Sequence, residues 1–270
     1  MLFVWVTLTS TRVPTSLTHR IRFNVAGRAG TGPPDSQDAV PGQGSPFTID
    51  GIDAPLSSAL PRVIGPPLEG DRWLALNGPH NNVGHRRALI ALAGQARIAQ
   101  RFAVDWVRLY EDGRTFRGEP LDNNSYRSFG ANVLAVDDGV VRDVLDGIPE
   151  NVPHPTARVL PITPQTLVGN YVLLDIGGDA YAVYAHLRLG SVQVKAGDRV
   201  RKGQVLGRVG NTGNSSEPHL HFHMVDRPSP IDAEGIPYAL ESSSWNRRPT
   251  KRHPPFHSAA RTSCRWSTSS

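Results

Sequence analysis

Short apolar stretches of strand length, separated by Gly, Pro and Asp turns, recur along most of this chain and constrain its fold more than any other feature. The stretch NYVLLDIGGDAYAVYAHL, for example, predicts two strands around a turn at Gly177-Gly178-Asp179. Helical periodicity is nowhere sustained beyond about two turns. The 26 Gly and 23 Pro also suit frequent turns. The sequence therefore predicts a mainly β fold.

Three regions follow one another along the chain. We expect an N-terminal β segment and linker at residues 1–75, with strands near 2–9 and 17–25, and a main β domain at residues 76–242. Residues 243–270 are polar, basic and without pattern, which predicts a disordered tail. The first ten residues alternate like a strand and resemble neither a secretory signal nor a membrane span, so we expect that an upstream segment is missing.

Two more hairpins are predicted inside the main domain. HRRALIAL and ARIAQRFAVDWVRL would pair around a turn near Gly94–Gln95, and ANVLAVDDGVVRDVLD would turn at Asp137-Asp138-Gly139. HLHFHMV would then form a closing strand. Together these elements indicate an antiparallel sheet or sandwich.

The charge and cysteine content exclude several kinds of site. From Trp245 onward the chain has six basic residues and no acid, so removing them from the net charge of +5 leaves −1 for residues 1–244. The body of the chain thus lacks the basic patch of a nucleic-acid partner. The only cysteine, Cys264, excludes an intramolecular disulfide and a cysteine-based metal site.

Three histidines alternate along His219-Leu220-His221-Phe222-His223. On a strand, successive side chains point to opposite faces, so the histidines would share one face while Leu220 and Phe222 point into the core. Neutral imidazole is a common zinc ligand and an effective general base. The pattern favours a metal or catalytic site, and an exposed polar face is the alternative.

Two further polar residues stand in apolar strands. His186 ends YAVYAHL, and Asp105 interrupts RFAVDW. A buried carboxylate without a partner is costly, so Asp105 requires either a metal ion or a salt bridge to Arg86 or Arg87 on the facing strand. Taken alone, His186 is more typical of a structural histidine on the surface or in the core than of a catalyst.

In this order along the chain, the aspartate strand, GNYVLLD, YAVYAHL and VKAGDRVRKGQVLGRVGNTGNSSEPHLHF resemble the lysostaphin-type zinc metallopeptidases, which are peptidoglycan endopeptidases. The resemblance covers about residues 99–226. It implies the antiparallel β fold called the duplicated hybrid motif, with Zn²⁺ in a groove on the sheet. It also implies hydrolysis of peptide bonds in peptidoglycan cross-links, and a location in the cell envelope or outside the cell.

The resemblance assigns roles to four residues. His221, the second histidine of the family's H-x-H, would ligate zinc, and Asp105 matches the aspartate ligand of the family's H-x-x-x-D. His186 and His219 would share the proton transfer and the stabilisation of the oxyanion, in an order that the sequence leaves open. Zinc with three protein ligands keeps a fourth position open and brings the pKa of water there to about 7.

The chain departs from the family pattern at Arg101, which stands four residues before Asp105 where the family has its first zinc-binding histidine. A guanidinium group stays protonated and cannot ligate zinc. If the first hairpin turns near Gly94–Gln95, His85 lies opposite Asp105 or its neighbour, on the same face. We therefore expect His85 to supply the missing metal ligand.

The alternatives to this assignment differ in register, ligand and function. A one-residue slip would send His85 to the other face, and His80 in the preceding loop is the fallback ligand. Without a replacement ligand, the chain would be a degenerate relative that binds cell wall or activates a partner hydrolase. A third interpretation, a biotinyl or lipoyl carrier domain, would need Lys195 or Lys202 at an exposed hairpin tip.

Overall fold

The computed structural model describes residues 15–18, 20–24, 46–51, 53–55, 60–80 and 82–241. The predicted strand at 2–9 and the predicted tail at 243–270 lie outside these ranges. Within them the helical elements are three 3-10 helices, at His85–Arg87, Ala99–Phe102 and Asn123–Ser125. None of these helices is long or apolar enough to cross a membrane. The predicted mainly β fold is confirmed.

The strands of the described ranges are numbered in chain order. They are β1 (Ser16–Leu17), β2 (Arg20–Asn24), β3 (Pro46–Asp50), β4 (Ala54–Pro55), β5 (Arg62–Ile64), β6 (Trp73–Leu76), β7 (Ile90–Leu92), β8 (Gln95–Arg97), β9 (Val104–Arg108), β10 (Asn132–Leu134), β11 (Gly139–Leu145), β12 (Asn170–Asp175), β13 (Tyr181–Leu187), β14 (Arg199–Val200), β15 (Val205–Arg208), β16 (Leu220–Val225) and β17 (Tyr238–Leu240).

A seven-stranded antiparallel sheet forms the centre of the molecule, in the order β14-β11-β12-β13-β16-β9-β6. Its strands alternate between two apolar clusters, as the period of two requires. Trp106, Tyr184 and Phe222 belong to the larger cluster, which also includes Val133 and Leu206 from the small antiparallel sheet β10–β15. The larger core therefore lies between the two sheets.

The opposite face of the central sheet is also covered. Val183 and Ala185 of β13 pack there with Ala99, Ile231 and Ala233, which come from a 3-10 helix and from the loop after β16. Every residue of β13 is consequently buried. Asp105 and His221 are out of phase with the residues of the larger core, so they lie on this second face.

The predicted hairpins have different outcomes. The hairpin of β12 and β13, with its turn at Gly177-Gly178-Asp179, is confirmed. The hairpin predicted within residues 132–145 is wrong, because β10 pairs with β15 whereas β11 pairs with β12 and β14. Val136 between them is fully buried, and its amide donates to the hydroxyl of Tyr184 at 2.9 Å. This anchored segment carries the chain from one sheet to the other.

The hairpin predicted near Gly94–Gln95 is much shorter than expected. It joins β7 to β8 through Ala93 and Gly94, whose φ angles of 47° and 75° are those of a two-residue turn with both residues left-handed. The 3-10 helix Ala99–Phe102 then separates β8 from β9, so β9 pairs with β6 and β16 instead. The predicted register between His85 and Asp105 therefore does not exist.

The domain limits 1–75, 76–242 and 243–270 remain predictions. Two strands that begin before residue 76 nevertheless pair with later ones, since β6 joins β9 in the central sheet and β5 runs parallel to β17. Ile64 of β5 is buried in the larger core. The main domain would thus include residues from at least β5 onward.

Candidate metal centre and catalytic site

His85, Asp105 and His221 converge at one edge of the second face and are called the ligand triad below. Their candidate ligand atoms all lie within 4.8 Å of one another. The δ1 nitrogen of His221 is 2.9 Å from Oδ1 of Asp105, and the ε2 nitrogen of His85 is 3.5 Å from Oδ2. Two imidazoles and a carboxylate form a donor set that zinc accepts.

Strand register brings Asp105 and His221 together. Asp105 stands on β9 directly opposite His221 of β16 on one side and Leu76 of β6 on the other. Asn77, which follows β6, donates from its amide to Oδ2 of Asp105 at 2.8 Å. Asp105 is 8% exposed. The carboxylate is thus held in place from both neighbouring strands.

The environment of Asp105 favours its ionised form. Burial acts to raise the pKa of this carboxyl group, but the attraction of His219 and hydrogen bonds from His219 and His221 outweigh it and hold the pKa well below its usual range. The sequence offered a salt bridge to Arg86 or Arg87 on a facing strand as an alternative. Those arginines lie in the 3-10 helix His85–Arg87, while the strands that face Asp105 are β6 and β16.

His85 reaches the triad from this 3-10 helix and not from a strand. Its δ1 nitrogen lies 3.1 Å from the carbonyl oxygen of Asn77. Because a carbonyl only accepts, this nitrogen carries the proton, and the ε2 nitrogen facing Asp105 is the free one. Metal-bound histidines in proteins almost always have their second nitrogen anchored in this way. Burial, followed by repulsion from His221, lowers the pKa of His85 and favours the neutral ring that a metal requires.

Arg101 has a different partner. It lies in the 3-10 helix Ala99–Phe102, and its guanidinium forms an ion pair with Glu234 at 2.9 Å. The fallback residue His80 is exposed, and its δ1 nitrogen accepts from the amide of Asn82 at 3.4 Å. Neither residue belongs to the ligand triad.

His186 and His219 stand beside the triad, and each is anchored through its δ1 nitrogen. That of His186 lies 2.7 Å from the carbonyl oxygen of Thr212, and that of His219 lies 2.8 Å from the carbonyl oxygen of Glu217. Both rings must therefore donate there. The ε2 nitrogen of His219 is 3.5 Å from Oδ1 of Asp105. The ε2 nitrogens are thus the atoms through which the two rings can exchange a proton, and only a ring that is protonated on both nitrogens can also donate through ε2 to an oxyanion.

The two histidines differ in charge preference. Burial lowers the pKa of His186 well below its ordinary value, with repulsion from His219 and His221 in the same direction. Burial also opposes the charged form of His219, but attraction to Asp105 and hydrogen bonding outweigh it and raise the pKa of His219. His186 therefore favours the neutral ring, and His219 is the better cation.

The backbone at His186 is unusual. Its φ of 60° is in the left-handed region, which is uncommon for a residue other than glycine. Its amide donates to Val168 and its carbonyl accepts from Gly210, at 2.9 and 3.1 Å. A Cβ on Gly210 would lie 2.4 Å from the Cα of Arg188, so glycine permits this close approach. Strain of this kind is often found at functional sites.

An open cleft of about 330 Å³ lies over the triad. Small, apolar and amide-bearing residues surround the histidines: Asn77, Gly84, His85, Ala88, Gln100, Leu167, His186, Asn214 and His221.

The donor chemistry of the triad fits a zinc ion, and so does the spacing of one of its two close pairs. Tetrahedral zinc with bonds of about 2.0–2.2 Å would separate its ligand atoms by about 3.3–3.6 Å. The distance from His85 to Asp105 is 3.5 Å, and that from His221 to Asp105, at 2.9 Å, is shorter and has the length of a direct hydrogen bond.

Two residues that sequence reasoning did not assign complete the surroundings of the triad, namely Asn77 and His223. The alternation of HLHFH was the signal for His223, whereas no pattern pointed to Asn77.

Comparison with known proteins confirms the resemblance to the lysostaphin-type peptidases. Residues 126–233 match Peptidase family M23. The peptidoglycan DD-endopeptidase ShyA of Vibrio cholerae is 40% identical over 75 residues, which are 28% of this chain and 17% of that protein. The glycyl-glycine endopeptidase ALE-1 of Staphylococcus capitis is 26% identical over 123 residues, 46% of this chain and 31% of that protein. The chain thus spans less than a third of these relatives.

Two solved structures are similar at lower identity. A mutant catalytic domain of the prophage-encoded M23 protein EnpA from Enterococcus faecalis is 18% identical with a TM-score of 0.38, covering 63% of this chain and 92% of that one. The catalytic domain of lysostaphin from Staphylococcus simulans is 22% identical with a TM-score of 0.32, covering 60% and 86%.

Proposed function

We propose that this chain is a zinc-dependent endopeptidase that hydrolyses peptide bonds in bacterial peptidoglycan cross-links, in the cell envelope or outside the cell. The convergence of His85, Asp105 and His221 at the floor of a cleft, beside His186 and His219, carries the proposal. The M23 match of residues 126–233 and the peptidoglycan endopeptidases among the relatives support the substrate class.

His85, Asp105 and His221 would hold the zinc ion. Bound zinc supplies a Lewis acid that polarises a carbonyl and makes water acidic near neutral pH. The protein's part is to present two imidazole nitrogens and one carboxylate, since Asp105 is ionised and the ε2 nitrogen of His85 and the δ1 nitrogen of His221 face it. The replacement of the family's first histidine by Arg101 is then no obstacle, because His85 takes its place.

His186 and His219 would share the proton transfer and the stabilisation of the oxyanion. His219, which favours the charged form, is suited to hold a proton and pass it to the leaving amine. His186, kept neutral by burial with its proton on the δ1 nitrogen that donates to Thr212, presents an unprotonated ε2 nitrogen that is suited to take a proton from water, and the charged His219 is the ring able to donate to the developing oxyanion. Anchoring by backbone carbonyls keeps both rings oriented before substrate arrives.

Zinc content and hydrolysis of purified cross-linked peptidoglycan test this proposal together. We expect one zinc per chain and release of free amino groups, both abolished by His221→Ala, whereas His219→Ala keeps zinc but loses hydrolysis. His154→Ala is the matched control, because His154 is exposed and outside the triad. A folded, zinc-loaded protein that binds peptidoglycan without releasing amino groups would instead support the degenerate, wall-binding alternative.

A further inference from the structure

His223 is the third histidine of the HLHFH strand and has no role in the function proposed above. It is completely buried. Its δ1 nitrogen lies 3.1 Å from the ε2 nitrogen of His221, and its ε2 nitrogen lies 3.2 Å from the carbonyl oxygen of Pro230. His223 therefore connects a backbone carbonyl to a residue of the ligand triad.

The direction of these hydrogen bonds follows from their chemistry. The carbonyl oxygen of Pro230 can only accept, so the ε2 nitrogen of His223 must donate to it. A neutral imidazole carries one proton, so the δ1 nitrogen of His223 is then an acceptor. The atom that faces it, the ε2 nitrogen of His221, must in turn donate. If each of these hydrogen bonds ran in the opposite direction, a lone pair on the ε2 nitrogen of His223 would face a lone pair on the carbonyl oxygen of Pro230.

We propose that His223 is a positioning residue that keeps a proton on the ε2 nitrogen of His221, so that the δ1 nitrogen is the one that this ring offers to the metal. This inference rests on the proposed metal centre. The δ1 nitrogen of His221 is the atom that lies 2.9 Å from Oδ1 of Asp105. At this length the δ1 nitrogen of His221 donates a proton to the carboxylate, and a metal ion that binds there takes the place of that proton.

The position of His221 in the sheet explains why a side chain, and not a backbone carbonyl, anchors its ring. The other three histidines at the site are anchored directly by the backbone carbonyls of Asn77, Thr212 and Glu217. His221 lies in the middle of β16, between β9 and β13, where backbone carbonyls take part in the sheet ladders. His223, two residues along on the same face, links the ring of His221 to the carbonyl oxygen of Pro230 through two hydrogen bonds.

Nitrogen NMR of the metal-free protein, labelled at its histidine rings, tests the tautomer directly. At a pH above the titration range of imidazole we expect the proton of His223 on its ε2 nitrogen, with the δ1 nitrogen unprotonated and hydrogen-bonded to His221. A proton on the δ1 nitrogen of His223 would overturn the inference. This measurement uses the unsubstituted protein and requires neither zinc nor activity.

Zinc affinity of two variants provides the second test. His223→Gln keeps one acceptor for His221 and one donor for Pro230, so we expect an affinity within a few-fold of the original. His223→Leu has similar bulk but offers no acceptor, and loss of such an outer hydrogen bond typically weakens metal binding about 10–100-fold. Equal affinities for His223→Leu and the original chain, or equal losses in both variants, would contradict a role through hydrogen bonding. If His223→Leu does not fold, His223→Gln and the tautomer measurement decide.

The outcomes separate this inference from the proposed function. A protein that binds zinc but cleaves no peptidoglycan would refute the endopeptidase proposal and leave the role of His223 standing. A protein that hydrolyses peptidoglycan normally, with His223 protonated on its δ1 nitrogen, would refute the role of His223 and leave the endopeptidase proposal standing.

Discussion

Arg101 donates from its guanidinium to the carboxylate of Glu234 at 2.9 Å, and both side chains are partly exposed. The residue four places before Asp105 is thus engaged with the loop after β16. His85, by contrast, stands 3.5 Å from Asp105. The two residues therefore have distinct partners, and their substitution should have distinct effects.

Replacing His85 with Ala should remove zinc. Loss of an outer-shell contact already costs about 10–100-fold in affinity, so loss of a ligand should cost on the order of 100-fold or more. Elemental analysis after dialysis against a competing chelator measures this. Arg101→Ala is the control and should keep zinc, because it removes an ion pair worth at most about 1 kcal/mol. Full zinc retention in His85→Ala would show that His85 is not a ligand.

Gly210→Ala should destabilise the fold around His186. The new methyl group would lie 2.4 Å from the backbone of Arg188, so the strand end that carries His186 must shift. Overpacking of this kind costs typically about 1–3 kcal/mol, and denaturant unfolding measures it. In Gly147→Ala the added Cβ meets nothing within 4 Å, so its stability should stay within about 1 kcal/mol. Equal stabilities of the two variants would argue against the close approach.

The stability of the metal-free protein should fall in mildly acidic solution, in part because of His186. Burial lowers the pKa of His186 below its ordinary value, so below about pH 6.5 the unfolded chain takes up a proton that the folded chain does not. The contribution to stability is fully present above that pH and is lost as the pH falls toward the folded pKa. The slope from this one group is at most about 1.4 kcal/mol per pH unit.

His186→Asn isolates this contribution, because asparagine tolerates the left-handed backbone at this position and does not titrate. Unfolding free energies of the metal-free proteins, measured between neutral and mildly acidic pH, should show a shallower decline for the variant. Parallel declines in the two proteins would mean that His186 is protonated equally in the folded and unfolded states.

Local patterns in the sequence determined much of the site. Alternation in HLHFH placed Leu220 and Phe222 in the core and set His221 and His223 on the opposite face, and the structure has both features. The turn at Gly177-Gly178-Asp179 followed from residues that accept a left-handed backbone, which all three have here. Such features depend on period and turn chemistry within a few residues, so they can be read without knowledge of the whole fold.

The remaining contacts of the site depend on the tertiary structure. The sequence could not show that a two-residue turn at Ala93 and Gly94 ends the first hairpin early, or that His85 approaches Asp105 from a 3-10 helix. It also could not show that Arg101 pairs with Glu234, that Asn77 holds both Asp105 and His85, or that Pro230 orients His223. All of these contacts join residues at least seven positions apart through loops without periodicity. Only the packing of the sheet against those loops fixes which atoms meet.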